Sequence, residues 1–348
     1  MNPIAVYTGE LTLYWSGILI AIGIGACLSL SLALYPMSGR HNAAVWVMFP
    51  FALFFSVVFS RVIYWYCHLE QFTSIRAALL DYSTGSFCIP GVILGVWLGA
   101  LVVRMLNLTD SAGRLLDAVA PGLALCIAII RLSALFNGSC RSHIIITDKV
   151  FQHLPVAVAF TDSAGNINYR FATFFVEFLV MLLVTVLLIV FYCDHRNDRL
   201  RGGNRGGHVA RRFLLLYGAV EVLADSTRYD SHLFHFTLLK NLNQYASFVS
   251  VAQVFAAVTI LCVLIRYLRD SVRARGFQWY HVALLLIYVG TLLGAGYFGE
   301  YKVQRYGTYA RCYIIQSVSM LVMVWVVTTL YHSCRAKKKR KLPKPAAD

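Results

Sequence analysis

Nine apolar runs divide this chain of 348 residues, and all of them except the short sixth run are about long enough to cross a hydrocarbon core of roughly 30 Å. Short polar or basic loops separate the runs, and charged residues make up only 14% of the chain against an ordinary fraction of roughly 25%. The sequence therefore predicts an all-α fold, a polytopic membrane helical bundle of about nine transmembrane helices. The predicted spans cover roughly residues 10–35, 45–66, 88–107, 116–136, 172–193, 212–226, 247–268, 279–298 and 311–332.

Basic segments beside the apolar runs set the expected orientation. Arginines crowd residues 196–212 and 266–275, and the tail RAKKKRKLPKP carries seven basic residues. Such segments are typical of cytoplasmic loops beside anionic lipid, which fits the net charge of +15. We expect a cytoplasmic C-terminus, an external N-terminus in an uncleaved first span, anionic membrane lipids as partners, and no nucleic acid.

The cysteines do not follow a disulfide or zinc pattern. There are nine of them, none forms a C-x-x-C pair, and several lie inside apolar runs. We expect most of them to act as small apolar residues, and we expect no metal.

Ionisable side chains inside the apolar runs are the main functional signal, because lipid cannot satisfy them. Arg61, Arg131 and Glu177 lie within or at the ends of spans. Glu221 and Asp225 lie four residues apart, on one helical face. They either pair with one another inside the bundle, as Arg131 with Glu221 or Asp225, or they line a polar cavity for a charged ligand. Arginine suits a phosphate, because its planar fork donates two parallel hydrogen bonds.

Three glycines at a spacing of four residues mark a packing face. Gly91, Gly95 and Gly99 follow a Pro90-Gly91 break. Small residues at this spacing allow close approach of two membrane helices.

Four segments in order give the chain its family resemblance. They are LYWSGILIAIG, LLDAVAPGLALCIAIIRLSALFNGS, LLLYGAVEVLADSTRYD and VAQVF. Together they resemble bacterial prolipoprotein diacylglyceryl transferase over roughly residues 10–268, and the external N-terminus agrees with that family's topology. The residues that match the family's motifs are Arg61, Arg131, Asn137, Gly138, Glu177, Tyr217, Asp225, Arg228, Asp230 and Gln253.

The chain departs from the family pattern at several motif positions. Ile89 replaces the family's important His, Ala134 and Ser139 replace its Asn and Glu, and Ser142 replaces a Gly. Glu221 stands where the family has an Arg.

The resemblance implies a transferase that moves a diacylglyceryl group from phosphatidylglycerol to the lipobox cysteine of prolipoproteins, without a cofactor, in the bacterial cytoplasmic (inner) membrane. Its partners are then phosphatidylglycerol and lipoprotein precursor signal peptides. The chain divides accordingly into a transferase-like membrane domain (1–270), two additional transmembrane helices (271–334) and a basic cytoplasmic tail (335–348). Candidate residues are Asp225, Glu221 and His143 for catalysis, Arg131, Arg228 and Arg61 for the lipid phosphate, and Asn137, Gly138, Tyr217, Glu177 and Gln253 in support.

Two alternatives stay open at this point. One is a divergent relative or pseudoenzyme that binds phospholipid and acts on another acceptor. The other is an unrelated transporter, for which inverted repeats would be the expected signature.

Overall fold

The computed structural model describes residues 4–9, 12–38, 41–69, 72, 74–80, 88–137, 142, 145–161, 165–194, 206–225, 228, 250–297 and 309–335. In chain order its elements are β1 (Ile4–Tyr7), β2 (Thr12–Tyr14), α1 (Trp15–Leu34), α2 (Ala43–Cys67), α3 (Ile75–Leu80), α4 (Ile89–Met105), α5 (Ala112–Asn137), α6 (Lys149–Gln152), β3 (Ala157–Thr161), β4 (Ile167–Phe171), α7 (Thr173–Asp194), α8 (His208–Asp225), α9 (Val251–Arg275), α10 (Trp279–Tyr297) and α11 (Tyr309–Arg335).

A long helix among the described residues falls on each predicted span. Within the described part of the chain, five helices are apolar and long enough to cross a membrane: Trp15–Met37, Ala43–Cys67, Ala112–Phe136, Thr173–Asp194 and Val251–Asp270. Three shorter helices are also apolar: Ile89–Met105, Trp279–Ala295 and Ser317–Leu330. The helical membrane architecture is confirmed, while the count of nine spans and the orientation of the termini stay predictions.

The structure adds two details to the predicted fold. The chain is not purely helical, because β1 pairs with β2 and β3 pairs with β4, each in an antiparallel hairpin. The first span does not begin at residue 10, because residues 12–14 form β2 and the helix begins at Trp15. Such short strands carry too few residues for their alternation to show against long apolar runs.

Exposed apolar stripes mark the helix surfaces that face lipid. On α7, Leu179, Leu183, Val186 and Val190 are all exposed, and their spacing keeps them on one helical face. A matching stripe on α11 consists of Ile314, Val318, Leu321 and Trp325. Apolar patches of this extent are rare on soluble monomers, so they support membrane insertion.

The contacts divide the chain into two compact units. The first comprises Met1–Phe213 and Thr227–Phe255, and the second comprises Leu214–Ser226 and Ala256–Asp348.

Close backbone approach holds the first unit together. A Cβ on Gly99 would lie 2.9 Å from the backbone nitrogen of Ala52, and Gly91 and Gly95 similarly face Ser60 and Ser56. The small-residue packing face predicted on α4 is thereby confirmed, with α2 as its partner. Helices α1 and α5 approach in the same way, with a Cβ on Gly122 placed 2.7 Å from the carbonyl oxygen of Cys27.

One apolar core joins four helices in the second unit. Leu215 of α8, Leu264 of α9, Leu292 of α10 and Met323 of α11 all belong to it. The Tyr288 hydroxyl on α10 donates a 2.7 Å hydrogen bond to the carbonyl oxygen of Leu215. The last two helices therefore pack directly on the part of α8 that carries Glu221 and Asp225.

Replacing Gly95 with alanine should destabilise the protein, because the added methyl group meets the backbone of Ser56. Overpacking of this kind costs about 1–3 kcal/mol. The matched control is Gly25→Ala on α1, where a Cβ meets nothing within 4 Å and alanine is the better helix former. Thermal unfolding in detergent should show a lower Tm for Gly95→Ala only. Equal Tm values for both variants would contradict the packing.

Candidate functional site

A buried carboxylate between two guanidiniums forms the centre of the candidate site. Nε of Arg228 donates a 2.9 Å hydrogen bond to Oε1 of Glu177, and Nη2 of Arg228 contacts the same oxygen. Oε2 of Glu177 forms an ion pair with Arg131, whose Nε lies 2.8 Å away. The Glu177 side chain is only 2% exposed.

A small region of sheet fixes Arg228 against Glu177. The backbone N–H of Ser142 donates to the carbonyl oxygen of Phe171 over 3.0 Å, and Ser142 also forms an antiparallel bridge with Arg228. Strand β4 ends at Phe171, and α7 begins two residues later at Thr173. The same backbone network therefore holds Arg228 and starts the helix that carries Glu177.

The chemistry of the three side chains favours an anion. Two guanidiniums, which stay protonated at any physiological pH, face one carboxylate, so the group carries one net positive charge. Both arginines are largely buried, where electrostatic interactions are stronger than in water. Carboxylate and phosphate both match the planar fork of guanidinium donors, so a phosphate is one anion that fits this group. Among the described residues, no three His, Cys, Asp or Glu side chains come together as a metal site.

The structure gives Arg131 a partner on α7, Glu177, which the sequence analysis placed only in a supporting role. Arg61 is fully buried on α2, with its guanidinium carbon 5.2 Å from the centre of the Tyr64 ring. Asn137 is the last residue of α5. His143 and Gly138 lie outside the described residues.

The other predicted residues lie on α8 and α9. Tyr217, Glu221 and Asp225 are all buried on α8. Gln253 forms a capping box at the start of α9: its Oε1 accepts from the Ser250 backbone over 3.2 Å, and Ser250 Oγ accepts from the Gln253 backbone over 3.1 Å. This contact gives Gln253 a structural role, and its part in binding stays a prediction.

This chain has apolar side chains at two positions where the family pattern has polar ones. Ile89 is the first residue of α4 and is half-buried, so the position offers neither a proton acceptor nor a hydrogen-bond donor from its side chain. Ala134 is buried in an apolar cluster with Ala172 and Phe174. Any proton transfer must therefore use other side chains.

Asp117 on α5 is a positioning residue to which the sequence analysis gave no role. Its Oδ1 accepts from the backbone N–H groups of Val209 and Ala210 over 2.7 and 2.9 Å. Its Oδ2 accepts from Gly207 over 2.7 Å. The buried carboxylate thus satisfies three N–H groups at the start of α8 and complements the positive end of that helix dipole.

Arg212 was counted among the basic residues of a cytoplasmic segment and is also the first residue of the sixth predicted span. It is fully buried on the first part of α8, with its guanidinium carbon 4.2 Å from the centre of the Phe191 ring. Charge counting along a loop cannot distinguish a solvated arginine from one stacked on a neighbouring helix.

Fold and site together define a multi-helix membrane protein in which two buried arginines share one carboxylate. A family model described as prolipoprotein diacylglyceryl transferase matches residues 3–268. The chain therefore belongs to the prolipoprotein diacylglyceryl transferase family, and α10 and α11 lie beyond the matched region.

Curated relatives agree with this assignment. Phosphatidylglycerol–prolipoprotein diacylglyceryl transferase 1 of Clostridium perfringens (strain 13 / Type A) is 25% identical over 236 residues, covering 67% of this chain and 86% of that protein. The transferase of Limosilactobacillus reuteri (strain DSM 20016) is 23% identical over 282 residues, or 81% of this chain and 94% of that protein. That of Parasynechococcus marenigrum (strain WH8102) is 26% identical over 235 residues, or 66% and 81%.

Removing the central carboxylate should destabilise the protein strongly. Glu177→Ala leaves two largely buried guanidiniums without the carboxylate, a change that costs about 3–5 kcal/mol for buried pairs. Glu177→Gln keeps an oxygen acceptor and should lose less. Chemical unfolding in detergent measures the free energy of unfolding of both variants. A Glu177→Ala variant as stable as the wild type would contradict the stabilising role of Glu177 between the two arginines.

Asp117→Ala should destabilise the start of α8, because three backbone N–H groups lose their acceptor. Leaving a buried hydrogen-bonding group without its partner costs about 1–3 kcal/mol of stability. Asp110→Ala is the matched control, since Asp110 is largely exposed and lies 4.0 Å from Arg114. Hydrogen–deuterium exchange at residues 207–210 should accelerate only in Asp117→Ala. Unchanged exchange there would remove Asp117 as the cap.

Proposed function

We propose that this chain transfers a diacylglyceryl group from phosphatidylglycerol to the lipobox cysteine of prolipoproteins. The single observation that supports this most is the pair of buried arginines on Glu177, in a chain whose family model and relatives carry that activity in their names. Membership of the family also leaves the unrelated-transporter alternative without support.

The reaction explains why two arginines are needed. The cysteine thiolate attacks the diacylglyceryl carbon bonded to the phosphate oxygen, a C–S bond forms, and the C–O bond breaks. The charge of the thiolate passes to the departing glycerol phosphate, which changes from a phosphodiester monoanion to a phosphomonoester dianion. Arg131 and Arg228, with Arg61 as a further candidate, hold the phosphate and stabilise this second charge as it develops.

A proton acceptor must generate the thiolate, because a free cysteine has a pKa of about 8.5. We assign this role to α8, whose carboxylates Glu221 and Asp225 are both buried and lie one turn apart. His143, in the segment after α5, is the other candidate. Asn137, Gly138, Tyr217 and Gln253 are assigned to supporting positions around the lipid and peptide.

We place the protein in the bacterial cytoplasmic membrane as a multi-pass protein, with its N-terminus outside and its C-terminus in the cytoplasm. The basic residues beside its spans support this orientation through their attraction to anionic lipid. Prolipoprotein signal peptides then reach the site from within the same membrane.

A second candidate function is phospholipid binding without transfer, or transfer to another acceptor. The apolar residues Ile89 and Ala134, at positions where the family pattern has His and Asn, favour this alternative. In this alternative the arginines still bind the lipid phosphate, but no side chain needs to deprotonate a thiol.

Incubating the purified full-length protein in phosphatidylglycerol vesicles with a lipobox peptide tests the transfer. We expect the peptide to gain the mass of one diacylglyceryl group, and a peptide with serine in place of the cysteine to gain nothing. If the mass of the cysteine peptide does not change while phosphatidylglycerol stays bound to the protein, the transferase proposal is wrong and the phospholipid-binding alternative takes its place.

Arg131→Ala should abolish retention of phosphatidylglycerol, and Arg131→Lys should weaken it, because lysine keeps the charge but loses the planar fork. Loss of a hydrogen bond to a charged group corresponds to about a tenfold to hundredfold drop in affinity. Mass spectrometry of the lipid co-purified from mixed vesicles measures this, with Arg104→Ala, an exposed arginine on α4, as the control. Equal retention by wild type, both Arg131 variants and the control would remove Arg131 from the site.

A further inference from the structure

The chain between α5 and α7 turns one apolar face outward. Val150 and Phe151 on α6 are 70% and 51% exposed, and Leu154, two residues after the end of α6, is 44% exposed. Their spacing places them on one side of a helical turn. A face of three exposed apolar side chains in so short a segment needs a partner other than water.

Hydrogen bonds fix the direction in which this face points. The Gln152 amide nitrogen donates to the carbonyl oxygen of Ile146 over 3.0 Å, so the opposite side of the turn is tied to the body of the segment. Asp148 caps the turn by accepting from the Val150 backbone over 2.9 Å. The outward direction of Val150 and Phe151 is therefore a property of the fold and not of a free loop.

The position of the segment indicates which partner it meets. It begins after Asn137, at the end of one candidate span, and ends at Thr173, where the next candidate span starts. Strand β4 stops two residues before α7, so the segment is held at the ends of two membrane helices that pack against each other. We therefore expect a short apolar face on this segment to meet the lipid headgroups.

Two further observations favour lipid over a protein. The exposed stripe Leu179, Leu183, Val186 and Val190 on α7 continues the lipid-facing surface from the same end of the bundle. Lys149, beside the apolar face, is exposed, and its ammonium group suits lipid phosphates.

We propose that Val150, Phe151 and Leu154 form an interfacial anchor that inserts among the lipid headgroups and upper acyl chains. The anchor ties the segment between α5 and α7 to the membrane surface. That segment contains Ser142, whose backbone pairs with Arg228, so the anchor also steadies one side of the arginine site. The anchor goes beyond the proposed transferase activity and does not require it.

Photo-crosslinking to lipid tests the anchor in the full-length protein. The wild-type chain and variants with benzoylphenylalanine at position 151 or 153 are reconstituted in vesicles of phosphatidylethanolamine and phosphatidylglycerol. His153 is the matched control, because it is exposed on the other flank of the same turn. After irradiation, position 151 should carry lipid acyl-chain adducts at least several times more often than position 153. Equal adduct yields, or adducts to a second protein copy only, would overturn the proposal.

Tryptophan quenching gives a second measurement that does not depend on crosslinking. Phe151→Trp should show quenching by acyl-chain-brominated lipid beyond that of the wild-type tryptophans, and His153→Trp should not. The absence of extra quenching in Phe151→Trp would likewise overturn the anchor. Neither measurement reads lipidation, so the anchor and the proposed activity fail or succeed separately.

Discussion

The shared carboxylate of Glu177 is the interaction on which the candidate site depends. Each buried ion costs several kcal/mol to remove from water, and attraction within the group must offset that penalty. Without Glu177, the guanidiniums of Arg131 and Arg228 would repel each other at close range. With it, the three side chains form a group of one net positive charge, which suits a substrate that is itself a phosphate anion.

Helix α5 connects this interaction to the rest of the fold. Asp117 near its start receives three N–H groups from the beginning of α8, and Arg131 near its end contacts Glu177 of α7. Between them, Gly122 allows the backbone of α1 to approach closely. Polar contacts towards both ends and tight packing in between leave α5 little freedom to slide or rotate. The arginine is thereby held by the helix as a whole, which is how a preorganised site is built.

Hydrophobicity alone located the long helices, because lipid demands long uninterrupted apolar runs. It could not locate the hairpins, and charge counting could not show that Arg212 stacks on Phe191. The Arg131 position was readable as a costly charge in an apolar run, but the central place of Glu177 was not, since its partners come from distant parts of the chain. Asp117 lies within a family motif, but its role as a cap could not be predicted, because the N–H groups that it accepts from lie 90 to 93 residues further along the chain. The capping box of Ser250 and Gln253 has a spacing that is a local signal, but the sequence analysis assigned Gln253 only a supporting role at the site.

A double-mutant cycle on phosphatidylglycerol affinity tests most directly whether the two arginines form one phosphate site. The variants are Arg131→Gln, Arg228→Gln and the pair together, each measured in the same vesicles. Residues that share one partner show interaction energies of about 0.5–3 kcal/mol. We predict that each single change weakens binding and that the double change weakens it by less than the sum. Strictly additive losses, or single variants that bind as tightly as the wild type, would contradict a phosphate held jointly by Arg131 and Arg228.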